Sequence, residues 1–140
     1  MNVLKQNMRL VLMSLLLIIC GATFAQTQVV FEAGVDKGQI SGRLAISGED
    51  KVEKDGVTLS GSYSKLGRNP YEFNSRFDQN MTISSSSNNI SKIEIEGSNL
   101  SNINRGVNVG TFDASTGVWT GNGNNIVFKY HISSFTIKKI

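Results

Sequence analysis

Apolar and polar residues alternate along most of this chain, and no segment repeats at helical spacing. Val57-Thr58-Leu59-Ser60-Gly61-Ser62-Tyr63 sets apolar against small polar residues, and Met81-Thr82-Ile83-Ser84 does the same. In Ile93-Glu94-Ile95-Glu96 the isoleucines share one face and the glutamates the other. Ile126, Phe128, Tyr130 and Ile132 fall in one row, with Lys129 and His131 opposite. Over Gln39–Ile46, Ile40, Leu44 and Ile46 lie on one side. A period of two places successive side chains on opposite faces of a strand, and β-branched and aromatic residues suit half-buried strands.

Turn residues separate these runs at short intervals. They are Asp55-Gly56, Gly67-Arg68-Asn69-Pro70, the polar loop Ser84–Asn89 and the stretch Gly97–Gly106, with Leu100 and Ile103 as anchors. Asp113–Gly117 and Gly121–Asn125 bracket Val118-Trp119-Thr120. Glycine and asparagine tolerate the positive φ of tight hairpins, so Gly121-Asn122-Gly123 reads as a hairpin turn. It lacks the Gly-Lys-Ser/Thr ending and following helix of a phosphate loop. Roughly nine or ten short strands result. They predict an all-β fold: a single β-sandwich, jelly-roll-like, with a barrel as second choice.

The N-terminus follows different rules. Met1–Arg9 carries Lys5 and Arg9 and no acid, Leu10–Cys20 is apolar except for Ser14, and Gly21–Ala25 is mostly small. That succession is the grammar of a cleavable secretory signal. The apolar run is shorter than the about 20 residues of a membrane span. Thr23 and Ala25 stand where a signal peptidase checks for small residues, so cleavage is expected after Ala25. Residues 1–25 are then the leader and 26–140 one β-sandwich domain. A lipid anchor at Cys20 is the rival, but bulky Ile19 occupies the position that a lipobox keeps small. The expected location is secreted, periplasmic or at the cell surface, with the membrane involved only in export.

Cleavage changes the charge. Lys5 and Arg9 leave with the leader, so 12 basic residues face 11 acids and the net charge falls from +3 to +1. Nothing in that balance attracts nucleic acid. Cys20 is the only cysteine, so the mature domain has neither disulfide nor thiol chemistry. Its stability must come from sheet packing.

The order of several segments resembles a group of small secreted β-sandwich domains of gut-type Gram-negative bacteria. The segments are Glu53–Leu59, Met81–Ser84, Asn89–Ile95, and Gly117–Gly121 followed by Ile126-Val127-Phe128, together with a leader ending in Phe24-Ala25-Gln26. The resemblance implies a shape related to carbohydrate-binding modules and a place in cell-surface proteins. In that group the last strand usually continues for several alternating residues, whereas here it stops at Ile140.

Catalytic chemistry finds little footing. His131 is the only histidine, and no Gly-x-Ser-x-Gly elbow accompanies it. Glu94 and Glu96 stand about 7 Å apart on one strand face, a spacing a glycosidase uses but chance supplies readily. With no cysteine in the domain and a single histidine, a zinc site is not expected. Calcium is the one cofactor the sequence leaves open, with Glu32, Asp36 and Asp113 as candidate ligands beside Glu49 and Asp50. For a neutral polymer the tools are aromatic faces and amides. Trp119 near Asn122, Asn124 and Asn125, and Tyr63 and Tyr71 flanking the Pro70 loop, are the candidates, with core packing as the alternative for Trp119 and Tyr63. The reading is a secreted, non-enzymatic module for a carbohydrate or another cell-surface molecule. A structural or adhesin-like surface protein with a protein partner is second, and a hydrolase third.

Overall fold

Alternation becomes strand wherever a second strand can cover the apolar row. The computed structural model describes residues 27–38, 49–75 and 77–140. The expected leader, with Cys20 and the cleavage point expected after Ala25, and the strand expected over Gln39–Ile46 lie outside those residues. Eleven strands follow in order: β1 (Glu49–Lys54), β2 (Val57–Ser62), β3 (Ser64–Lys65), β4 (Tyr71–Asn74), β5 (Asp78–Ser85), β6 (Ile90–Glu94), β7 (Glu96–Ser98), β8 (Thr111–Asp113), β9 (Val118–Gly123), β10 (Asn125–His131) and β11 (Ser134–Lys139). A single 3-10 turn, Leu100–Asn102, precedes β8.

The strands form three antiparallel sheets, ordered β1-β2-β5-β10, β3-β4-β11-β7 and β6-β9-β8. They pack together as an all-β sandwich, as the alternation predicts, with eleven described strands against the nine or ten expected. Phe31 and Ile140 exchange backbone hydrogen bonds of 2.9 and 3.0 Å, which adds the residues around Glu32 to the end of β11. β5 pairs with β10 and β6 with β9, so 78–94 and 118–131 are two long arms that bend together from the first sheet into the third.

Aromatic rings join the layers. Phe73 of β4 stacks on Phe135 of β11 at 4.9 Å, and Tyr130 of β10 meets Phe135 edge-on at 5.0 Å. Phe112 of β8 meets Phe128 of β10 edge-on at 5.3 Å, which ties the third sheet to the first. Offset and edge-to-face pairs of this kind add to the area they bury. Gly61 makes the approach close: a Cβ there would lie 2.7 Å from the Phe73 ring.

Two expectations about turns need correction. Gly121-Asn122-Gly123 is not a hairpin: these residues belong to β9, and the chain bends once at Asn124 on its way into β10. Ile132 does not extend the row of Ile126, Phe128 and Tyr130. It takes φ 44° and is 69% exposed. Tyr63 takes φ 51° in the equivalent place after β2. At these two residues the chain passes from the first sheet into the second. A bulky side chain in the left-handed region costs about 1–3 kcal/mol.

Candidate functional site

The proposed ring platform is not on the surface. Trp119 is fully buried, between Ile93 of β6 and Phe112 of β8 in register, and its Nε1–H donates to the Val109 carbonyl at 2.8 Å. Gly110 and Gly121 clear the space for the indole. A Cβ would stand 2.7 Å from the ring at Gly110 and 2.5 Å at Gly121. Tyr71 is equally buried, and its hydroxyl donates to the Asp36 carbonyl. Burial pushes that hydroxyl far above the ordinary tyrosine range, with Asp36 and Glu32 adding to the effect. Neither ring can stack on a ligand. Tyr63 is half-buried at its sheet corner, while Asn122 and Asn124 are exposed but have no accessible indole to work with.

Three of the acids singled out for calcium, Asp36, Asp113 and Asp50, are already engaged, and no group of three metal-binding side chains converges among the described residues. Asp36 accepts from Lys54 Nζ at 3.0 Å and from the Glu32 N–H at 2.9 Å. Burial raises its carboxyl, but the Glu32 N–H and Lys54 outweigh burial and hold it below the ordinary 3.8. Asp113 accepts from the Ser115 hydroxyl at 2.6 Å and N–H at 2.9 Å, which lowers its carboxyl. Asp50 is buried under the sheet and accepts from the Leu66 N–H at 3.0 Å. Glu32, whose N–H donates to Asp36, and Glu49 are both exposed.

The two glutamates of the candidate acid pair are divided between sheets. Glu94 ends β6 in the third sheet and is held 2.5 Å from Lys92, whereas Glu96 opens β7 in the second. His131 does meet a carboxylate. Its Nδ1 lies 2.8 Å from Asp78 Oδ1, the residue opposite it on β5, though too obliquely for a hydrogen bond. That Asp78 side chain is 81% exposed, unlike the buried acid that orients a catalytic histidine. Among the described residues no serine hydroxyl is hydrogen-bonded to His131.

The structure gathers different residues on the outer face of β5 and β10. Register sets Lys129 opposite Asn80 and His131 opposite Asp78, all outward because Met81, Phe128 and Tyr130 point inward. The free edge of β10 is closed by 104–108. The Arg105 N–H donates to the Lys129 carbonyl at 3.0 Å, and the Lys129 N–H donates to the Gly106 carbonyl at 2.9 Å. Two asparagine side chains complete the ladder as peptide mimics. Asn104 receives the His131 N–H at 3.0 Å and returns a bond to its carbonyl at 3.2 Å. Asn108 accepts from the Val127 N–H at 2.7 Å and donates to the Asn125 carbonyl at 2.9 Å.

This pairing carries Arg105 to the same side as Lys129. An open depression of about 460 Å³ results, lined by Asp78, Gln79, Asn80, Arg105, Lys129 and Tyr130. Gln79 is fixed from behind by the Ser62 hydroxyl. Phe77, directly before β5, is 62% exposed, and exposed Ile132 directly follows β10. A second depression, of about 600 Å³, lies between β7 and the 114–117 turn, but Glu96 is its only charged side chain.

Sequence reasoning missed Phe77 and Arg105. Phe77 carried a signal: it has Ser75, Arg76, Asp78 and Gln79 on either side, so it is an aromatic without apolar company. Arg105 carried none, because its position depends on pairing with a strand twenty residues away. No family model, curated protein or solved structure matches the chain.

Proposed function

We propose that the protein is an exported, non-enzymatic binding module that holds a carbohydrate or another cell-surface molecule on the outer face of β5 and β10. The observation that carries this reading is a depression where Asp78, Asn80, Arg105 and Lys129 bring together a carboxylate, an amide and two cations, with the exposed Phe77 next to Asp78 in the chain. A ring face receives the apolar side of a sugar, and amide and carboxylate groups serve its hydroxyls. Asp78, Asn80 and Lys129 are held by two paired strands, so little of their order is lost on binding. The export part of the reading rests on the charged, apolar and small-residue succession over residues 1–25.

Pairing with a protein strand is less well supported on this side, because 104–108 already occupies the edge of β10. The test is a glycan array probed with the purified protein, with and without calcium. Phe77→Ala should remove the signal of any glycan retained. As a surface change it should alter stability by no more than about 0.5 kcal/mol. A variant that binds like the parent, or an array without a retained glycan, would overturn the proposal.

A further inference from the structure

The basic residues of this chain differ in what faces them. Lys51 is paired with Glu53, Lys54 with Asp36, Lys65 and Arg68 with Glu72, and Lys92 with Glu94. Lys37, Arg105, Lys129, Lys138 and Lys139 have no carboxylate within ion-pair distance among the described residues, and of these Arg105 and Lys129 line one depression. The only acid there, Asp78, is in contact with His131. Adjacent like charges on neighbouring strands are unfavourable. Here the backbone bond between Arg105 and Lys129 keeps the two residues adjacent.

From this we infer that the ligand of the β5–β10 face is an acidic polysaccharide, with a carboxylate or sulfate group received between Arg105 and Lys129. The inference rests on the binding reading above and adds the ligand's charge. The guanidinium offers a planar fork of donors to either oxyanion, and Lys129 adds a compact point charge. Asn80, opposite Lys129 on the same outward face, is placed for a neighbouring hydroxyl, and Phe77, exposed directly before Asp78, is the ring that a sugar face would meet. The carboxylate of Asp78 argues against a polymer with a phosphate on every unit. A sugar chain has room for a hydroxyl between its acidic groups. With a net charge of only +1 after leader removal, general attraction to polyanions does not explain binding at this one place.

The test titrates the purified protein with polygalacturonate, dextran sulfate, neutral dextran and single-stranded DNA. Polygalacturonate or dextran sulfate should bind, neutral dextran should not, and the better of the first two identifies carboxylate or sulfate. Arg105→Gln and Lys129→Gln should each weaken that binding about tenfold or more, as expected for losing a charge-assisted hydrogen bond. Lys138→Gln, an exposed lysine on β11, should leave it unchanged. The melting temperature of Lys129→Gln should stay level or rise, since an unpaired like charge is removed; a purely structural lysine would lower it. Equal losses in all three variants, or DNA binding as tight as the polysaccharide, would overturn the inference. So would binding of neutral dextran that Phe77→Ala abolishes and the two cation variants leave intact, but that result would keep the glycan-binding reading. Absence of binding to both acidic polymers also overturns it, and the glycan array then decides the wider reading separately.

Discussion

Trp119→Ala separates the two roles a single tryptophan can have in a small sandwich. The indole is fully buried, and its environment is built for it: Gly110 and Gly121 side by side against the ring, Ile93 and Phe112 on the neighbouring strands. Truncating a buried aromatic residue costs about 3–5 kcal/mol through lost transfer energy and the cavity left behind. The two glycines cannot fill that cavity, since neither has a side chain to turn inward. The Val109 carbonyl also loses the Nε1–H donor at 2.8 Å. An unmet acceptor costs about 1–3 kcal/mol where water does not reach it. The expected loss therefore lies at the upper end of the cavity range. Domains of this size are stable by only about 5–15 kcal/mol, so the change is a large fraction of the whole. Urea unfolding followed by circular dichroism measures it, with Phe77→Ala as the surface comparison. A loss below about 1 kcal/mol in Trp119→Ala would refute the packing argument. So would a variant that keeps its stability and loses only ligand.

Replacing Asn104 and Asn108 together by Ala should reopen the edge of β10. Four hydrogen bonds to that strand disappear, and size-exclusion chromatography should show concentration-dependent association through the uncovered edge; a double variant that stays monomeric and as stable as the parent would contradict this. Acid should loosen the tie between the 27–38 segment and β1. Because the Asp36 carboxyl is held below 3.8 in the folded state, its contribution is complete above that value and fades as pH falls through the lower folded value. Denaturant midpoints of the parent should accordingly fall towards those of Asp36→Asn below pH 3.8, and parallel curves across that window would refute the linkage.

The strands were legible because burial of one face is a local demand. Met81 and Ile83, Ile93 and Ile95, and Ile126, Phe128 and Tyr130 all point inward as their alternation requires. Leu100 and Ile103 anchor their loop as expected. Failures cluster where the chain changes sheet. Ile132 continues a perfect alternation in sequence, but φ 44° turns it outward at the corner. Phe77 has the same parity as buried Phe73 and Met81, and the turn at Ser75 breaks the count between them. Gly121 was misread because glycine serves two ends. It permits unusual φ, which marks a turn, and it lacks a side chain, which makes room for a ring. Only the position of Trp119 in space tells these apart. The site was less legible than the fold because its cations come together through the pairing of 104–108 with β10, a contact without a local pattern.

Placement of the rings gives the remaining argument about function. With no cysteine after Cys20, the described domain has no disulfide to hold it, and its large side chains carry the packing between sheets. Phe31, Tyr71, Phe73, Trp119, Phe128, Tyr130 and Phe135 are all at most 1% exposed. Phe77 departs from this use of aromatic residues. Burying a phenylalanine is worth about 1.5–3 kcal/mol, and Phe77 forgoes most of that at 62% exposure. It does so next to Asp78, which lines the depression that Arg105 and Lys129 share, two cations with no carboxylate within ion-pair distance among the described residues. An exposed ring, two unpaired cations and a strained isoleucine each lower stability slightly. Their concentration at one end of β5 and β10, on strands otherwise well paired and well packed, is the feature on which the proposed binding role rests.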